Sequence, residues 1–162
     1  MEVIELTTRW VKGEVLQGKI GLVIGFLIGI AFLNFADFQH PFYKGMMIPF
    51  VILEIVLLGY SSYQLVMRPK YIVKVEQVYI QRPQSALEMQ LKKSRKDDLV
   101  YRMIRILWVS LLLGSLLFAF LLNHPLYKGM SIGFAGFFFV AYFFDTILHL
   151  RLKIYLKTLQ QL

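Results

Sequence analysis

The sequence predicts an all-α membrane protein with four transmembrane helices, arranged as two tandem hairpins in parallel orientation. Three observations carry that expectation. The apolar residues are gathered into four blocks, lysine and arginine lie almost entirely on one side of those blocks, and one heptapeptide occurs twice at equivalent places.

Of the 162 residues, 57% are apolar and 17% charged, against roughly 45–50% and about 25% in soluble domains. The apolar excess predicts spans at about 20–36, 43–67, 104–122 and 127–150, each near the roughly 20 residues that cross about 30 Å of hydrocarbon as a helix. The length fits a single domain, residues 1–162. The first block follows a segment of mixed charge and lacks a small-x-small cleavage site, so it reads as a span and not a cleaved signal. Strict alternation of the barrel type is absent. With no cysteine in the chain, disulfides, thiolate metal sites and cysteine nucleophiles are excluded.

Lysine and arginine set the orientation. The segment before span 1 carries Arg9, Lys12 and Lys19, residues 68–105 carry ten more, and the tail carries Arg151, Lys153 and Lys157; the two hairpin turns hold only Lys44 and Lys128. Positive charge is retained on the cytoplasmic side. Both termini and a loop at residues 68–103 are therefore expected in the cytoplasm, in a bacterial inner membrane. The net charge of +8 is accounted for by topology, which disfavours a nucleic-acid partner.

Residues 40–46 read H-P-F-Y-K-G-M and residues 124–130 read H-P-L-Y-K-G-M, an offset of 84. Pro41 and Pro125 suit a first helical turn. Tyr43 and Tyr127 suit interfacial depth, Lys44 and Lys128 can snorkel, and Gly45 and Gly129 permit close helix approach. The pair reads as a duplicated hairpin whose second helix starts at the motif. His40 and His124 are weak metal-ligand candidates across the implied pseudo-twofold axis; an interfacial start signal is the stronger reading, and no metal or cofactor is expected.

Outside the spans, Val3, Leu6, Trp10 and Val15 fall on one helical face, predicting an N-terminal amphipathic helix anchored by Trp10 at the membrane surface or a plain extension of span 1. Gly13 and Gly18 favour a bend between the two. Ser85-Ala-Leu-Glu88 has the form of a capping box. It predicts a helix from about Ala86 to Leu122, roughly 55 Å long, which extends span 3 into the cytoplasm. Tyr71 to Ile80 fits either a short strand or an extension of span 2. Lys92, Lys93, Arg95 and Lys96 form a basic cluster, partly neutralised by Asp97 and Asp98, that would be a solvated face or an anionic-lipid contact.

Within the spans, Glu54 is the most informative residue, because an ionisable group near mid-bilayer normally faces a bundle interior or cavity. Pro49 lies one turn earlier and is expected to kink the helix. Ser61 and Arg68 follow Glu54 at steps of seven and form one stripe with it. Tyr142, Asp145 and His149 lie at one-turn spacings on span 4. Asp145 and His149 are expected to bond each other or Arg151, a relay from Glu54 being the alternative. Gly21, Gly25 and Gly29 form a G-x-x-x-G-x-x-x-G strip suited to backbone-close packing, within the chain or, as favoured here, between copies in a homo-oligomer. The aromatic run from Phe137 to Phe144 is expected to face lipid and bundle, a pocket for a hydrophobic ligand being the minor reading.

Two function classes follow. The first is a membrane-embedded binding protein whose partner is an anionic lipid or a cytoplasmic protein. The second is a small oligomeric proton- or cation-dependent transporter or channel using Glu54. A lipid-modifying enzyme is a minor third, disfavoured because no nucleotide loop, nucleophile elbow or catalytic cluster is present and no catalytic residues can be named.

Overall fold

The structure, a computed structural model, describes residues 2–162. It consists of four long helices, α1 (Glu2–Phe35), α2 (Pro41–Gln81), α3 (Pro83–Leu121) and α4 (Pro125–Leu159). All four are long and apolar enough to cross a membrane, which makes this an integral membrane protein. Helices suit that role because each satisfies its own backbone hydrogen bonds, and hydrocarbon offers no other partner.

Three sequence expectations need correction. The loop expected at 68–103 is helical nearly throughout and not only from Ala86: α2 continues to Gln81, only Arg82 intervenes, and α3 starts at Pro83. Tyr71 to Ile80 is therefore helical, despite its β-branched residues, because Val75 becomes fully buried between helices at that level. Ser85 does not cap α3; Pro83 occupies the first turn and Arg82 the cap position. Finally, α1 passes through Gly13 and Gly18 without interruption. The expected anchor Trp10 turns inward, stacking on Tyr155 at 5.1 Å and meeting Tyr71 edge-on.

Each helix thus has an apolar length and a basic-end extension, and the extensions pack best. Val3, Leu152, Tyr155 and Leu159 form the buried core there, with Trp10, Tyr79, Leu87 and Leu91 packed around it. A polar tie joins all four helices at the same level. The Thr7 hydroxyl on α1 shares a hydrogen bond of 2.8 Å with the Tyr155 hydroxyl on α4. Gln90 Oε1 on α3 accepts from Tyr155 at 3.2 Å and from Tyr71 on α2 at 3.0 Å. Burial pushes the Tyr155 hydroxyl up to about 12, which keeps it a neutral donor. The apolar lengths, by contrast, present most of their side chains outward, as Phe35 and Phe120 do at 83% and 84% exposure. Such faces require lipid.

In the apolar half, α2 is central. It packs on α1 along one side and on α4 along the other, while α3 packs on α4 and touches α2 little. Small residues set these distances. Gly18, Gly21 and Gly25 face α2, where an added Cβ would meet the Ser61 carbonyl, the Ser61 hydroxyl and Leu58 respectively. Of the strip Gly21, Gly25 and Gly29, the first two thus pack on α2 within the chain and Gly29 faces Glu54 of that same helix α2, where the sequence favoured a second copy. At the turn end, an added Cβ on Gly45 would strike the Leu126 carbonyl, and one on Gly129 would strike the Phe42 carbonyl. Pro49 is buried against Gly133 in the same contact, and α2 continues past it. His40 caps α2, its Nδ1 accepting from the Phe42 amide at 3.2 Å; His124 caps α4 by position alone.

Candidate functional site

Because α2 and α3 diverge while both rest on α4, a groove of about 390 Å³ opens between them. Its wall on α2 is Leu53, Val56, Leu57 and Tyr60, ending at Arg68. Its wall on α3 is Val100, Tyr101, Ile104 and Trp108, with Asp97 level with the end. The floor on α4 is Phe137, Val140, Ala141, Phe144 and Asp145. The body is therefore aliphatic and aromatic, and the charged groups Arg68 and Asp97 stand at its basic-end mouth. Phe137 and Phe144, both from the aromatic run, line this floor.

The mouth is electrically organised. Arg68 Nε lies 3.0 Å from Glu14 Oε2, and Glu14 is buried. Burial pushes the Glu14 carboxyl up to about 7, against the opposing pull of Arg68, Lys93 and Arg151. Burial alone would lower Arg68, but Glu14 beside it holds the guanidinium above its ordinary value, so it stays charged. Arg68 and Lys93 both stand over the Trp10 ring, at 5.5 and 5.6 Å. Burial also drives the Tyr101 hydroxyl well above its ordinary range, so it remains a donor beside the groove.

The predicted stripe of Glu54, Ser61 and Arg68 exists, but it faces α1. Glu54 lies beside Gly29, where a Cβ would stand 3.8 Å from the carboxyl, Ser61 lies beside Gly21, and Arg68 beside Glu14. Only Arg68 also reaches the groove. Asp145 and His149 are bonded neither to each other nor to Arg151. Asp145 accepts from the Trp108 indole N–H at 2.6 Å. His149 Nε2 lies 2.7 Å from Asp98 Oδ1, and its Nδ1 lies 3.1 Å from Arg105 Nη1. Arg105 also donates to the Tyr142 hydroxyl at 3.4 Å. Arg151 turns to the Gly13 carbonyl. The physical reason is that the α3 extension, expected from the sequence as a helix, packs beside α4 and puts Asp98 and Arg105 opposite His149, a pairing that helix periodicity alone does not reveal.

His40 and His124 stand at the turn end beside Tyr43 and Tyr127. Among the described residues no three histidine or acidic groups are placed to share a metal. Sequence reasoning missed Glu14, Arg105 and Trp108, and it treated Asp98 only as a charge balance. A signal existed: the buried positions of α1 run Val3, Thr7, Val11, Glu14, Gln17, Gly18, Gly21 and Gly25. That is heptad-like spacing continuing through polar and small residues.

Fold and groove together define a four-helix integral membrane protein with an apolar cleft and a charged mouth. No protein-family model, no curated protein and no solved structure matches the chain.

Proposed function

We propose that this chain binds a membrane lipid in the groove between α2 and α3, its acyl chains along the apolar body and its head group at the mouth. The observation that carries this reading is the division of one cleft into an apolar body at membrane depth and an end with Arg68 and Asp97. Opposite charges lining one groove match a zwitterionic head: phosphate toward Arg68, ammonium toward Asp97. An acyl chain leaving the bilayer for this cleft loses little hydrophobic stabilisation, so head-group contacts select the ligand.

The charge asymmetry supports placing the basic end, with both termini, in the cytoplasm of a bacterial inner membrane, so the lipid would enter from the inner leaflet. The tandem-hairpin reading gains support from reciprocity at the turn end. Gly45 meets the carbonyl of Leu126 and Gly129 that of Phe42, and both pairs are related by the same 84-residue offset. The transport reading has less support, because Glu54 belongs to the α1–α2 seam and not to the cleft. Homo-oligomer formation would use outward faces, on which Gly59, Gly114 and Gly136 have nothing within 4 Å.

Ala141→Trp tests the proposal by filling the floor of the groove. Native mass spectrometry of the purified variant is expected to show the co-purified phospholipid reduced at least about tenfold, since the indole occupies its space. Phe139→Trp, at an outward position of 58% exposure, should leave it unchanged. Equal lipid retention by the Ala141→Trp variant would remove the groove as the site.

A further inference from the structure

A second cavity, of about 450 Å³, lies on the other side of α3, lined by Arg102, Arg105, Ile106, Val109, Ser110 and Tyr142. We infer that it is a separate site for the phosphate of an anionic phospholipid, held by Arg102 and Arg105 with an acyl chain against Ile106 and Val109. Depth, charge and geometry carry this.

Depth comes first. Arg105 is about 24 Å from the turn-end terminus of α3 at roughly 1.5 Å per residue, near the boundary of a hydrocarbon core about 30 Å thick. Ile106, Val109 and Ser110 continue the same helical face toward the bilayer centre, so the site grades from basic to apolar along the bilayer normal, as a phospholipid does.

Charge comes second. The Arg105 guanidinium hydrogen-bonds the His149 ring and the Tyr142 hydroxyl, neither of them a carboxylate, and its buried Nε has no hydrogen-bond partner among the described residues. Arg102 is bound to Asp98 at 2.7 Å but is 61% exposed. A cation at this depth without a carboxylate is costly unless an anion reaches it, and a buried N–H donor left open points to an acceptor from outside the chain.

Geometry comes third. Asp98, Arg102 and Arg105 lie on one face of α3, and His149 closes a circuit with them from α4. A guanidinium can only donate, so His149 Nδ1 accepts from Arg105 and its Nε2–H donates to Asp98 Oδ1, while Asp98 Oδ2 accepts from Arg102. Burial by itself would raise the Asp98 carboxyl, but the bonds from His149 and Arg102 hold it below its ordinary value. Asp98 and His149 are thus positioning residues, and both arginines are braced before any ligand arrives.

The test titrates the full-length protein in neutral detergent with phosphatidylglycerol or phosphatidylcholine and counts bound lipid by native mass spectrometry. The parent should prefer phosphatidylglycerol. Arg105→Gln should lower its apparent affinity about tenfold or more, the weight of a charge-assisted contact, while phosphatidylcholine binding in the groove persists. Lys92→Gln, which removes an equal charge from the basic cluster, should change nothing. If Arg105→Gln does not fold, Val109→Trp blocks the acyl track without touching the circuit and should give the same loss. Unchanged preference in Arg105→Gln or Val109→Trp overturns the inference, as does equal loss in Lys92→Gln. Displacement of the lipid by inorganic phosphate at equal concentration also overturns it, since the acyl track would then contribute nothing. Loss of phosphatidylcholine binding in Ala141→Trp alone bears on the groove and leaves this site standing.

Discussion

Gly45→Ala and Gly129→Ala each destabilise the protein by about 3 kcal/mol or more, the upper range of overpacking in a tight contact, whereas Gly59→Ala is neutral or slightly stabilising. The difference follows from what each new methyl meets. At Gly45 it meets the Leu126 carbonyl and at Gly129 the Phe42 carbonyl; both are backbone, which cannot swing aside as a side-chain end can. Relief requires α2 and α4 to separate, and that also lifts Pro49 from Gly133. At Gly59 nothing lies within 4 Å, so only the better helix propensity of alanine acts, worth about 1 kcal/mol. The double variant Gly45→Ala/Gly129→Ala should cost less than the sum of the two, because the first substitution already opens the shared contact. Thermal unfolding in detergent, followed by circular dichroism, measures all four. Similar losses at Gly45 and Gly59 would deny the close approach of α2 and α4.

The second large effect is a pH dependence centred on Glu14. Its carboxyl titrates at about 7 in the folded chain against 4.5 ordinarily. Between those values the folded state holds a proton that the unfolded state has released, so stability falls as pH rises from about 4.5 to 7 and is flat above. The difference between the two values corresponds to about 3 kcal/mol. Asp98 acts in another window: its value is lowered in the folded state, so its contribution is present above about 3.8 and lost as pH falls through its folded value. The parent should therefore be most stable near pH 4 to 5. Glu14→Gln should abolish the decline between about 4.5 and 7 and leave the acid-side loss intact. Unfolding midpoints across this range measure it, and a Glu14→Gln profile parallel to the parent's would show that Glu14 is not the titrating group. Arg68 lines the groove and faces Glu14, so the same titration should change how firmly Arg68 is held at the mouth.

Much of this architecture was legible in the residues. Four apolar blocks specify four spanning helices because lipid admits few other solutions, and Pro41 and Pro125 mark two helix starts that the structure keeps. Gly45 and Gly129 were legible as sites of close approach, although sequence alone did not say which backbone each would meet. The basic-end bundle was not legible. Helix was legible there from Ala86 onward, but not what it packs on: the pairing of Asp98 with His149 and of Glu14 with Arg68 depends on contacts 51 and 54 positions apart in the chain. The groove was not legible either, since a cleft arises from where two helices fail to meet, and no local residue pattern encodes that divergence. Glu54 attracted attention as a lone acid at mid-span, yet its neighbour is Gly29 on α1. Periodicity placed it on a stripe and left open which helix the stripe faced.

The central claim is that a lipid occupies the groove between α2 and α3. The most direct measurement is nuclear Overhauser transfer from a protonated phospholipid to methyl groups of the protein in deuterated detergent. The account predicts transfer to Val100, Ile104 and Ala141 that saturates at about one lipid per chain, with weaker, non-saturating transfer at the outward methyls of Ile55 and Leu113. Transfer confined to Ile55 and Leu113, with the groove methyls silent, would contradict it.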